Sequence, residues 1–280
     1  MDGPGFKDGL PDEAYRIVDA WSSTDVRAVL KSARRGIASR RGEIEEKEGQ
    51  LQGSLNHCLV LTPELFDKEY ILMEPGQRRS PREKKFQELL ETGRIPVKPE
   101  EVTKASRIAD AVHSDPLWQG ITEPGCVRER SWFWTDEETG VPCKARTDGF
   151  VEGERRNLLL DLKPAPGDED FGKFCFRKGY HIQAAWYARG VKAVTGKPCD
   201  FMVVSVSDIL EVNFDLLCVA EAMTNMHQLA EQEIQKALER IKLCTELDEW
   251  PSRNDGRVQT LEPPRWALRD LDDTLNPEPF

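Results

Sequence analysis

Asp148, Asp161 and Lys163 are the residues whose types and spacing point most directly to chemistry. They stand in the stretches Lys144-Ala-Arg-Thr-Asp-Gly-Phe150 and Leu158-Leu-Leu-Asp-Leu-Lys163. In an extended strand Asp161 and Lys163, two apart, present their side chains to one face. Three leucines precede Asp161, so a carboxylate falls at the end of a buried strand, where charge is costly unless paired or metal-bound. A hairpin would bring Asp148 beside it. Two neighbouring carboxylates repel, and a hard divalent cation that takes oxygen ligands relieves that repulsion. Lys163 beside them can orient or deprotonate a water, or hold a phosphate oxygen. The plainer alternative is a surface hairpin carrying an Asp–Lys ion pair.

Other residues join this set by position. Gln183 and Tyr187 are four apart, so they share a helix face just downstream of the Lys163 strand; otherwise they are a helix-surface position and a core tyrosine. His57 sits in the largely apolar segment Leu55–Leu61, either as a packed core histidine or as a ligand. Glu129 opens the strand before Asp148 and could face the same site. His113, His181 and His227 have no companion feature and read as structural.

The elements that must position these residues are legible in outline. Residues 11–61 read as helices, one opened by Pro11-Asp12-Glu13, one capped by Ser22-Ser23-Thr24-Asp25, and one running from Glu43 through Gln52 to Leu61. Residues 74–100 look like a mobile connector around a short helix, and a helix from about Pro99 to His113 follows. Arg130–Trp134, Val141–Val151 and Asn157–Leu162 then read as an antiparallel meander, separated by turns at 137–140 and 152–154. A single helix Lys173–Thr195, strands Asp200–Ser205 and Leu210–Asp215, and a long helix Leu216–Cys244 complete the order. After Trp250-Pro251 the chain reads as a surface tail. This succession predicts an α/β fold with a mixed sheet rather than a doubly wound one. No Gly-x-Gly-x-x-Gly or Walker loop supports nucleotide binding.

Bulk properties set outer bounds. The net charge is −11, but nucleic-acid binding depends on local potential more than on the total. Two basic patches stand out: Arg34, Arg35, Arg40 and Arg41, and Arg78, Arg79, Arg82, Lys84 and Lys85. Each reads equally as a solvated face or a DNA contact. Seven cysteines, an odd number with no Cys-x-x-Cys, point to free thiols in a reducing compartment. No apolar run reaches the ~20 residues of a membrane helix, and the N-terminus lacks a signal pattern, so a cytoplasmic protein is expected.

Together, His57 in GSLNHCLVLTPELFD, Asp148 in CKARTDGF, the LLLDLK strand and GYHIQAAWYARG resemble the nuclease domain of RecE (exonuclease VIII). They are more distantly similar to the RecB nuclease domain and phage lambda exonuclease. The resemblance runs from about Leu10 to Trp266, and Thr147 stands where the class name PD-(D/E)XK has proline.

The resemblance implies a PD-(D/E)XK core and one nuclease domain over 1–265, with a helical N-terminal region (1–115), a nuclease core (116–245) and a tail over 266–280. It implies a metal-dependent exonuclease that digests one strand of linear duplex DNA 5′-to-3′. The 3′ overhang left behind would serve recombination with a single-strand annealing protein, and the enzyme would form a homo-oligomeric ring, a tetramer by family likeness. Asp148, Asp161, Lys163, Gln183 and Tyr187 would be catalytic. His57, Asp148, Asp161 and the Leu162 carbonyl would hold Mg²⁺ or Mn²⁺, two ions when substrate binds. Arg34, Arg35 and Arg78 would contact DNA. An endonuclease or structure-specific nuclease on the same core, or a non-catalytic DNA-binding scaffold, are the alternatives.

Overall fold

The computed structural model describes residues 3–44, 50–80, 82–123, 125–165, 170–207, 209–218 and 224–262. The chain opens with β1 (Gly5–Lys7), α1 (Asp12–Arg16), α2 (Ser23–Lys31), α3 (Ala33–Arg40) and α4 (Gln50–Leu61). Next come α5 (Phe66–Glu69), β2 (Tyr70–Leu72), α6 (Lys84–Leu90), β3 (Ile95–Val97), α7 (Pro99–Ser114) and α8 (Pro116–Thr122). The second half holds β4 (Val127–Thr135), β5 (Pro142–Val151), β6 (Asn157–Pro164), α9 (Phe171–Lys178), α10 (Tyr180–Thr195), β7 (Cys199–Val206), β8 (Val212–Cys218) and α11 (Asn225–Leu247).

Six strands form one sheet in the order β1-β4-β5-β6-β7-β8. Only β6 and β7 run parallel, because α9 and α10 carry the chain across the sheet between them. The expected meander is β4-β5-β6. Along β6 the side chains alternate. Leu159 packs with Trp132, Trp186 and Ile234 on the side covered by α2, α10 and α11. Leu160 and Leu162 pack with Val60, Ile108 and Trp118 under α4, α7 and α8. Asp161 and Lys163 therefore belong to the α10 side. That helix is tied down by Trp186, fully buried, whose indole N–H donates to the Lys144 carbonyl at 2.9 Å. Gly190 permits the close approach, since a Cβ there would lie 2.5 Å from the Trp134 ring.

Several sequence expectations need correction. The helix expected over Lys173–Thr195 is two helices, because Gly179 adopts φ 71°, a left-handed conformation that ends α9 and starts α10. Leu216–Cys218 extend β8 rather than open the last helix, which begins at Asn225; residues 219–223 lie outside the described residues. Glu43 and Ile44 are not helical, residues 45–49 lie outside the described residues, and α4 starts at Gln50. The stretch 74–100 holds the short helix expected there, α6, but also β3, which pairs in parallel with β2 in a small second sheet. β1, α5, β2 and α8 fall outside the expected elements, whereas α3 lies within the stretch 11–61 expected to be helical. The α2 cap is as expected: the Ser22 hydroxyl accepts from the Asp25 N–H and the Asp25 carboxylate accepts from the Ser22 N–H. After α11 the chain folds back, with Trp250 stacked on Trp21. The expected tail 266–280 lies outside the described residues.

Candidate active site

The site forms where strands β5 and β6 part. Their ladder pairs Val151 with Leu158, Phe150 with Leu159 and Gly149 with Leu160. Beyond that point the Asp148 carboxylate takes the place of a backbone partner and accepts the Leu162 N–H at 2.7 Å. The gap leaves room for side chains. On the α10 side, Gln183 Nε2 donates to Asp161 Oδ1 at 3.0 Å and to the Tyr187 hydroxyl at 3.1 Å. Lys163 Nζ lies 2.5 Å from Asp161 Oδ2, and 5.0 Å from the centre of the Tyr180 ring. The Asp161 Oδ2 contact is ionic but poorly directed, so this buried oxygen lacks a properly aligned hydrogen bond.

His57 enters from α4. Its Nε2 donates to the Leu162 carbonyl at 2.9 Å, which leaves Nδ1 facing Asp148 Oδ2 at 3.4 Å. A lone pair and a carboxylate oxygen repel at that separation unless a proton or a cation lies between them. Glu129 completes this side: His57, Glu129 and Asp148 each offer a ligand atom within 4.8 Å of the others. Glu129 has φ 52°, rare for a residue with a side chain. The reason is visible in its neighbours. Trp132 points into the α10 layer, whereas Arg128 donates to the Val60 and Leu61 carbonyls in the α4 layer. Residues four apart in a regular strand share a face, so β4 turns over between them, at Glu129.

The titration shifts agree on one point. Burial, with Asp148 nearby, pushes the Glu129 carboxyl up to about 8. Burial also raises Asp161, to about 6, against the pull of Lys163 and with a further push from Asp148. For Lys163 burial alone would lower the pKa, but Asp161 and Asp148 outweigh it and hold the ammonium above its usual range. The Tyr187 phenol, buried beside Asp161, is pushed up to about 12 and stays neutral. Burial is the main reason the acids resist ionising, and Asp148 adds repulsion to both; the lysine keeps its proton because Asp161 and Asp148 outweigh its burial. Asp148 adds negative charge to both neighbours, Glu129 on one side and Asp161 on the other, while Arg146 eases Glu129 and Lys163 eases Asp161. The donor set, imidazole nitrogen plus carboxylate and carbonyl oxygens, suits Mg²⁺ or Mn²⁺, with the imidazole favouring Mn²⁺.

The structure thus brings together His57, Asp148, Asp161, Leu162, Lys163, Gln183 and Tyr187 from α4, β5, β6 and α10. Arg34, Arg35 and Arg78 stand apart and, among the described residues, contact none of them. Arg34 and Arg35 are exposed on α3, and Arg78 is exposed before α6. Glu129 is the member that sequence reasoning weighted too lightly. Its only signal there was an acidic residue at the start of the strand next to Asp148.

A family model described as a PDDEXK-like domain of unknown function (DUF3799) matches residues 22–261. Among solved structures, a candidate exonuclease from Eubacterium rectale superimposes with a TM-score of 0.61 at 16% identity, covering 94% of this chain and 98% of that one. At that identity the likeness speaks for the fold. An alkaline exonuclease from Laribacter hongkongensis also matches, at 15% identity over 84% of this chain and 93% of that one. Its TM-score of 0.31 is too low to carry weight. No curated protein sequence matches the chain.

Proposed function

The chain belongs to the PDDEXK-like family DUF3799, and from that premise we propose that it is a metal-dependent DNA exonuclease acting 5′-to-3′ on linear duplex ends. The observation that carries this reading is the surplus of negative charge where β5 and β6 part. Asp148 stands between two groups: Glu129 and the His57 imidazole, whose ligand atoms lie within 4.8 Å of its own, and the buried Asp161–Lys163 pair, with the Leu162 carbonyl beside His57.

His57, Glu129, Asp148, Asp161 and the Leu162 carbonyl are the groups that would hold the ions. Bound Mg²⁺ or Mn²⁺ lowers the pKa of water and offsets charge building on the phosphate. The remaining roles belong to the side chains. Lys163 keeps its proton on Nζ in this setting, so it serves as a donor to a non-bridging phosphate oxygen rather than as a base. Gln183 holds Asp161 Oδ1 and the Tyr187 hydroxyl together, which fixes the carboxylate that faces Lys163. Asp148 is fixed by the Leu162 N–H in the same way.

The reading extends to a homo-oligomer, and two features support that. Leu72, Leu90 and Ile95 expose apolar side chains around the small β2–β3 sheet, surface that a subunit contact would cover. An assembly with an acidic exterior and a basic interior would also reconcile the net charge of −11 with a DNA substrate. The 3′ overhang left by such digestion is the substrate of a strand-annealing partner. End-labelled linear duplex and covalently closed circular DNA test the activity together. The expected result is loss of the 5′-terminal nucleotides from linear DNA with circles untouched. Nicking or linearisation of circles would make the enzyme an endonuclease.

A further inference from the structure

A broad cleft of about 1220 Å³ opens between α1–α3 and the junction of α9 with α10. This exceeds the ~300–1,000 Å³ of an ordinary small-molecule pocket. Nine lysine and arginine side chains line it against four carboxylates, on a chain that carries −11 overall. Some of these cations are already engaged: Arg40 pairs with Asp19, and Lys144 donates to the Tyr15, Arg16 and Val18 carbonyls. Lys31 and Arg35 are exposed and make no ion pair among the described residues. Lys178, also exposed, borders the opposite wall.

Phe176 points the same way. It is 48% exposed on that wall, and its ring stacks on buried His181 with centroids 4.7 Å apart. An exposed aromatic face, braced from behind and set among cations, combines the two features that bind single-stranded nucleic acid, base stacking and phosphate attraction. A duplex would keep its bases stacked on one another and could not use the ring. One turn of chain borders both the cleft and the site. Gly179, His181 and Ile182 line its wall, and Tyr180 in that same turn lies 5.0 Å from Lys163 Nζ.

We propose that this cleft holds a single strand of DNA, with phosphates on Lys31, Arg35 and Lys178 and a base against Phe176. The identity of the strand as substrate rests on the nuclease reading; binding in the cleft does not. Fluorescence anisotropy with labelled oligothymidylate in EDTA measures binding without cleavage. Lys31→Glu with Arg35→Glu is expected to flatten the dependence of log K on log salt by about 0.7 for each phosphate no longer neutralised. Phe176→Ala is expected to weaken binding about tenfold without changing that slope. Hydrolysis of bis(p-nitrophenyl) phosphate with Mn²⁺, an ester too small to span the cleft, is expected to stay at the wild-type rate in these variants. If the wild type binds oligothymidylate and the variants lose it while no ester is hydrolysed, the nuclease reading fails and the cleft assignment stands. Wild-type affinity and slope in the variants would overturn the cleft assignment, as would binding of duplex alone.

Discussion

Replacing Glu129 with glutamine removes one charge from the crowded carboxylates while keeping the side chain's shape. Burial and Asp148 raise the Glu129 carboxyl from the ordinary 4.5 to about 8. The unfolded chain sheds that proton near 4.5, whereas the folded chain keeps it until about 8. Between those values the folded state binds more protons, so metal-free stability falls as pH rises. A tenfold change in proton affinity corresponds to about 1.4 kcal/mol. The full interval would then approach 5 kcal/mol, but Asp148 shares the repulsion, so the single substitution should release roughly 2 kcal/mol. Urea unfolding in EDTA provides the assay. Glu129→Gln should match the wild type near pH 4 and exceed it by roughly 2 kcal/mol near pH 8. Added Mn²⁺ should stabilise the wild type more than the variant. A difference between the two proteins that is constant with pH, or one favouring the wild type at high pH without metal, would refute the charge-surplus argument.

Three further outcomes follow from the same geometry. Lys163→Ala should lower cleavage roughly 10²–10³-fold and destabilise metal-free protein by about 3–5 kcal/mol, because Asp161 is left buried without its partner; activity assays and chemical denaturation measure the two effects. His57→Ala should raise the Mn²⁺ concentration needed for half-maximal cleavage while high Mn²⁺ restores some of the rate, and an effect on thermal stability alone would return His57 to the role of a packing residue. Gly179→Ala should cost about 1–3 kcal/mol in thermal or urea unfolding, since φ there is 71° and the new Cβ would lie 2.9 Å from Arg27 Cδ.

Much of the site was readable because strand periodicity governs it. Asp161 and Lys163, two apart in a leucine-rich strand, had to share a face, and the short hairpin had to bring Asp148 alongside. The helical spacing of Gln183 and Tyr187 likewise placed them over that strand. What escaped the sequence depends on tertiary context. The break at Gly179 carries a C-terminus signal, Arg177-Lys178-Gly179, but a glycine within a longer helix is also tolerated, and its left-handed backbone decides that α9 ends and α10 begins there. Leu216–Cys218 could end a strand or begin a helix on periodicity alone, and pairing of Phe201 with Cys218 and of Met202 with Leu216 decides it. The three-residue β1 exists only because Gly5–Lys7 find an open edge beside β4. Glu129 is harder still, since its place in the site comes from the turnover of β4, a distortion with no local sequence signature. The clustering of Lys31 and Arg35 opposite Phe176 was equally out of reach, because α2, α3 and α9 meet only in the folded chain.

The most direct test of the central claim is digestion of linear duplex DNA by wild type and Asp161→Asn, with Mn²⁺ and with excess EDTA. The substitution keeps the acceptor for Gln183 but removes the charge that faces Lys163. The account predicts cleavage by wild type with Mn²⁺, none by wild type in EDTA, and none by a folded Asp161→Asn protein under either condition. Undiminished cleavage in EDTA, or by Asp161→Asn with Mn²⁺, would contradict it.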